Sequence, residues 1–338
     1  MKRYQIVAAV VLFFALACLF LPARDHGAQV SPSPASDPGH PKIGVYLTSH
    51  AVRHPRIMEP VLDAFHSGLI NAVVINTKNM HGEVTYQSSI EFARRIGSVT
   101  DRLDLAQIVS DLQAQGLYVI ARQVLFFDPV FAAYRGYAED WVPVHDKLAM
   151  SYNLAIAEEV AGLGVDEIQF DYVRYADEGE YVAEYETRYA MVEQFLAEAR
   201  RRLSGHVTIS ADLFGRVLWP WNLKRIDPIG QSLEGMSPHL DVVSPMLYPS
   251  HYSEQRYKDD PYLTIHDALT AGNERVDASF RPYLQAFDRY IPSGMSLETY
   301  IAEQIEAADD CGADGYLFWH PACEYEPLYN VLRDTASQ

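Results

Sequence analysis

Two aspartates occupy positions that cost free energy unless they are used. Asp171 lies in EIQFDYVRY (167–175) and Asp212 in VTISADLFG (207–215), each within an apolar stretch short enough to be one buried strand. A carboxylate in such a place is unfavourable without a partner or a purpose. In extended backbone, successive side chains point to opposite faces. Gln169 and Asp171 then share one face, with Ile168, Phe170 and Tyr172 on the other. Thr208, Ser210 and Asp212 share a face opposite Ile209, Ala211 and Leu213. Two carboxyl groups projecting from neighbouring strands can hydrolyse a glycosidic bond. One attacks or stabilises the anomeric carbon, and the other protonates the leaving oxygen. The proton donor needs a raised pKa, which a low-dielectric site or a neighbouring charge supplies. The sequence leaves open which aspartate takes which role.

The elements that must position this pair recur along the chain. Strands are expected at 43–50, 72–79, 118–126, 167–175, 207–215, 242–250, 281–287 and 315–320. Helical patterns fall near 58–67, 104–115, 148–162, 182–203, 229–236, 262–271, 298–310 and 327–336. Glycines 68, 116, 164, 205 and 312 stand between a helix and the next strand, the usual place of a left-handed helix stop. Alternation of this kind implies parallel strands with helical crossovers. Eight units fit a single α/β domain over 42–338, a (β/α)8 barrel. The rival, an open doubly wound sheet, usually carries a glycine-rich phosphate turn after its first strand. TSHAVRHP (48–55) is not one.

In a barrel the apolar face of each strand meets the helices, so Asp171 and Asp212 face inward near the carboxyl ends of adjacent strands. Barrel enzymes place their chemistry at that end. Tyr46, Asn76, Lys78, Arg122, Tyr248, Gln285 and Trp319 also lie near strand ends, where they are expected to line the mouth. Aromatic faces stack on sugar C–H surfaces while amides and cations read hydroxyls, so a carbohydrate substrate is expected. The competing reading is a catalytically silent barrel that binds a cell-surface glycan through the same aromatic mouth. Neither a cofactor nor a metal is called for. His50, His54 and His81 carry no fixed carboxylate spacing, and no strand has a His-x-His pair.

The chain has 338 residues and a net charge of −18, from 45 acidic against 27 basic residues. With no basic cluster, nucleic acid is a poor partner. Lys2 and Arg3 precede 16 apolar residues, Ile6 to Leu21, the pattern of an export signal over 1–23, either cleaved or kept as a membrane anchor. Residues 24–41, rich in Pro, Ser and Gly, read as a flexible linker. The expected location is therefore the periplasm or the cell exterior. Cys311 and Cys323 flank an expected strand that separates them by roughly 20 Å, too far for a disulfide.

Seven stretches carry a family resemblance: NAVVINTKNMHGEVTY, GLYVIARQVLFFDP, DEIQFDYVRY, SADLFG, DVVSPMLYPSHY, RPYLQAF and GADGYLFWHP, spanning about 42–325. The chain resembles exported (β/α)8 proteins described as candidate glycoside hydrolases and first catalogued as a domain of unknown function. The resemblance implies Asp171 and Asp212 as catalytic residues, with Tyr248, His251 and Trp319 lining the site. Relatives often carry an acid where Asn76 stands, further acids near Asn79–Met80, and Phe-Pro where this chain has Tyr175-Ala176. The barrel is also distantly similar to chitinases, whose fourth strand ends D-x-x-D-x-D-x-E. Here that pattern gives Asp166, Gln169, Asp171 and Val173, so the catalytic Glu of that family is absent. Asp171 is closer to the strand-four nucleophile of α-galactosidase-like barrels.

Overall fold

The computed structural model describes residues 40–179 and 183–336. The expected leader (1–23) and the linker up to residue 39 lie outside the described residues. Ten strands form one sheet: β1 (Lys42–Leu47), β2 (Ala72–Lys78), β3 (Val84–Tyr86), β4 (Val99–Leu103), β5 (Tyr118–Val124), β6 (Glu167–Asp171), β7 (Thr208–Phe214), β8 (Val242–Met246), β9 (Tyr283–Gln285) and β10 (Gly315–Trp319). Eight of them, all but β3 and β4, close into a parallel barrel in chain order. The closing seam is the pairing of β1 with β10 on one side and β2 on the other. Helices lie between the strands, as the alternation required.

Three features depart from the sequence expectation. The fourth barrel strand ends at Asp171, because Tyr172 turns into the left-handed region (φ 52°) and Val173–Tyr175 continues as loop. The helix expected at 229–236 is a single turn, Leu233–Met236. After β2 the chain folds back: β3 pairs antiparallel with β2, and β4 pairs parallel with β3. The expected glycine stops are there. Gly116, for example, ends the helix Leu105–Gln115 at φ 101°.

The seam imposes one backbone constraint. Gly315 sits at φ 77°, and a Cβ there would lie 2.2 Å from the Lys42 carbonyl oxygen. Gly315→Ala is therefore expected to cost about 2 kcal/mol or more, from the left-handed conformation plus the clash. A lowered urea midpoint at unchanged slope is the expected signature.

Outside the strands the packing is apolar. Phe170 meets Phe195 of the helix Tyr185–Leu203, ring centres 5.5 Å apart, and Ile209, Ala211 and Leu213 are fully buried. The barrel interior is polar. At its lower level the Glu167 carboxylate accepts from both terminal nitrogens of Arg281 at 3.0 Å, from Tyr118 at 3.1 Å and from Ser210. Above it, Gln169 accepts from Tyr283 Oη at 2.7 Å and donates to Ser244 at 3.3 Å. Branched apolar residues usually fill such an interior. Here hydrogen-bonded layers do, and they satisfy the polar groups that would otherwise be costly to bury.

Candidate active site

The third inward level is the mouth. Asp171 ends β6 and is 5% exposed; Asp212, one strand over on β7, is 2% exposed. Between them stands Arg122 of β5. Its Nε donates to Asp171 Oδ2 at 3.0 Å, and its Nη2 donates to the same oxygen. Nε is also 3.9 Å from Asp212 Oδ2. The two carboxylate oxygens that share this nitrogen are thus no more than about 7 Å apart, within reach of one sugar bond. Arg122 Nη1 donates to Asn76 Oδ1 at 2.6 Å, and Asn76 Nδ2 donates to Tyr46 Oη at 2.6 Å. An amide, not an acid, therefore orients the guanidinium from the second strand.

The two aspartates experience different electrostatics. Asp171 accepts from the arginine and from the Tyr172 backbone N–H at 2.6 Å. Burial alone would depress the Arg122 pKa, but the Asp171 charge, with smaller contributions from Tyr46, Asp212 and Tyr283, more than offsets this, so Arg122 stays cationic. Asp212 has one oxygen, Oδ1, with no hydrogen-bond partner among the described residues. Burial first, and the Asp171 charge second, push its pKa well above the ordinary carboxylate range; Arg122 offsets only part of this. The arrangement is one anion held by a cation beside one carboxyl biased toward its neutral form.

This bias has a stability consequence. The folded state binds the Asp212 proton more tightly than the unfolded chain does. Its contribution is thus fully present below the unfolded pKa, near 4, and is lost as pH rises through the raised folded value. Asp212→Asn removes that loss. The variant is expected to melt higher than the parent at pH 8, with the gap closing toward pH 4, as read by calorimetry.

A cavity of about 1100 Å³ opens above the pair. Of the residues anticipated from sequence, Tyr46, Asn76, Arg122, Asp171, Asp212, Tyr248, His251 and Trp319 line it. Trp319 anchors one wall, with Tyr248 at 6.1 Å, Tyr46 at 6.3 Å and Phe287 edge-on at 5.2 Å between ring centres. Burial, and then Arg289, lower the His251 pKa, so its ring is neutral at pH 7.

Two expectations are corrected. Lys78 does not reach the mouth. A bulge between Asn76 and Lys78 shifts the β2–β5 register and turns the lysine outward, where it is fully buried and pairs with Asp128 at 2.7 Å. Asp128, which caps the helix Pro129–Arg135, is that buried partner. Gln285 is also fully buried, and it ties loops together. It accepts from the Ser250 N–H at 3.3 Å and donates to the carbonyls of Phe287 and Arg289 at 3.0 Å.

The sequence reading missed the opposite wall, formed by Trp219, Trp221, Tyr252 and Tyr257. Trp219 and Tyr257 lie 5.2 Å apart between ring centres. The pair of tryptophans in WPWN (219–222), directly after the fifth strand, was the available signal. Tyr283 was legible by parity with Arg281. Arg122 is the cation that holds Asp171, while Arg174 faces the cavity. Among the described residues, no group of three or more His, Cys, Asp or Glu is arranged to hold a metal ion. Cys311 and Cys323 are both free thiols.

A parallel (β/α)8 barrel with a carboxyl pair and aromatic walls at its carboxyl-terminal mouth has the organisation of the barrel glycoside hydrolases. The chain belongs to the family described as "Putative glycosyl hydrolase domain", whose model matches residues 44–325. Among curated proteins, none matches it in sequence. Among solved structures it is similar to the glycoside hydrolase domain of PgaB (BpsB) from Bordetella bronchiseptica, at 16% identity and a TM-score of 0.64. That match covers 87% of this chain and 99% of the other. It is also similar to the endo-β-1,4-mannanase of Thermotoga petrophila, at 12% identity and a TM-score of 0.61, covering 88% and 76%. A class V chitinase from Pseudomonas fluorescens matches at 13% identity and a TM-score of 0.56, covering 88% and 99%. These likenesses are of fold.

Proposed function

We propose that the chain hydrolyses a glycosidic bond in an extracellular or cell-envelope polysaccharide, with Asp212 as proton donor and Asp171 as its ionised counterpart. One observation carries the assignment: the two carboxyls sit on adjacent strands at the mouth, yet only Asp171 holds a close cation. Asp212 gives its proton to the glycosidic oxygen as the C1–O bond breaks. Asp171, oriented by Arg122, meets the positive charge developing at C1. Water then completes the sugar, and its proton returns to Asp212. Trp319 and Tyr248 supply the apolar faces against which sugar rings lie. The export pattern of the first 23 residues supports a substrate outside the cytoplasm.

The test is release of reducing ends from a panel of polysaccharides by the full chain. The parent protein should release them from at least one polymer. Trp319→Ala should raise KM for that polymer by about tenfold or more, as loss of an aromatic anchor does. Tight binding to a polymer with no reducing ends released would leave a glycan-binding barrel instead.

A further inference from the structure

Arg174 is a cation with no carboxylate within hydrogen-bond distance among the described residues. Arg122, Arg216 and Arg281 each donate to a carboxylate within 3.0 Å. Arg174, with its side chain only 10% exposed, has Asp177 at 3.6 Å, beyond hydrogen-bond distance. The other oxygen of Asp177 accepts from Arg216 at 2.6 Å, and Arg216 is in turn held from two nitrogens by Asp227. Among the described residues the one acceptor that Arg174 reaches is the Tyr175 carbonyl, at 2.9 Å from Nη1. Its Nε and Nη2 have no partner among the described residues. Neither atom is fully buried, so both remain accessible. Since Arg174 lines the cavity, that is where their free N–H bonds are reachable.

The aromatic surroundings fix the guanidinium. Its carbon lies 4.3 Å from the Trp141 ring centre, 4.5 Å from that of Phe214 and 5.4 Å from that of Tyr172. Rings packed on a guanidinium leave its edge as the recognition surface, and that edge matches a planar carboxylate. Tyr172 directly follows Asp171, so the edge is close to the bond-breaking pair. A neutral glycan would leave this buried charge with Asp177, at 3.6 Å, as its nearest counter-ion, whereas a carboxylated sugar would supply one in hydrogen-bond contact.

We infer that Arg174 forms an anion subsite that reads the carboxylate of an acidic sugar, so that the substrate is a uronic-acid-containing glycan. The inference rests on the reading of the cavity as a glycan site. The chain's overall negative charge does not oppose this strongly, because screening at physiological salt acts over about 8 Å.

The experiment is calorimetric titration of the full chain with glucuronate and galacturonate tetramers and with the same tetramers after carboxyl reduction. The parent should bind at least one acidic tetramer about tenfold or more tighter than its reduced form, the scale of a charge-assisted hydrogen bond. In Arg174→Gln that preference should collapse toward one, and Arg174→Lys should restore it only in part, because the charge returns without the fork. Equal binding of acidic and reduced forms by the parent, or binding of neither, overturns the inference. So does a preference that survives in Arg174→Gln. The parent comparison stands even if a variant folds poorly. Cleavage of neutral glycans without acidic preference would remove the subsite and leave the hydrolase. Acidic preference without any bond cleavage would remove the hydrolase and leave the subsite.

Discussion

Asp171→Asn should reduce kcat by about a thousandfold or more on any glycan the parent cleaves, because it removes the negative charge that meets the developing cation at C1. The substitution preserves size and leaves the Tyr172 N–H an acceptor, so the loop after β6 keeps its course. It also has a second effect that a purely structural role would not produce. Asp171 is, after burial, the largest cause that holds Asp212 above the ordinary carboxylate range. Without it, Arg122 is left to act on Asp212 from 3.9 Å, which favours the ionised form. Whatever turnover survives should lose activity at lower pH than the parent does, since the proton donor deprotonates earlier. A rate within tenfold of the parent, or an unmoved alkaline limb, would contradict the pairing.

Arg281→Met should produce the largest loss of stability, about 3–5 kcal/mol, because it strands the Glu167 carboxylate at the centre of the barrel. Arg281 is 2% exposed and Glu167 is fully buried, so no solvent can replace the missing cation. Combining Arg281→Met with Glu167→Gln should recover much of the loss, since the cost lies in the orphaned charge more than in the broken contact. Urea unfolding of the two single variants and the double variant gives the coupling energy. A single variant within 1 kcal/mol of the parent would show that the lower polar layer is not a coupled unit.

What the sequence revealed followed from one rule, the period of two along a strand. It turned Gln169 and Asp171, and Ser210 and Asp212, to the inside because their apolar alternates had to meet the helices. The structure agrees at each of those positions. The same rule failed at Lys78, where a one-residue bulge reversed the face and no residue in INTKN announces the bulge. It failed at Gln285 for another reason. That side chain follows the strand parity but is captured by loop carbonyls, an outcome set by long-range packing. The wall made by Trp219 and Tyr257 had only the tryptophans of WPWN to announce it, because the segments between strands that carry it have no long periodicity to read. Arg174 is the cation nearest to Asp171 in sequence. In space Arg122 is closer, delivered by the neighbouring strand at the register Arg122↔Gln169.

The proposed mechanism requires two neighbouring aspartates held in different protonation states. It is tested most directly by ¹³C NMR titration of the protein labelled at its aspartate carboxyl carbons, with Asp212→Asn used to assign the resonance. One carboxyl should titrate well above the ordinary range of about 4, disappear in Asp212→Asn and move down in Asp171→Asn. If every aspartate resonance titrates in or below the ordinary range, Asp212 is an anion at neutral pH. It is then no proton donor, and the account fails.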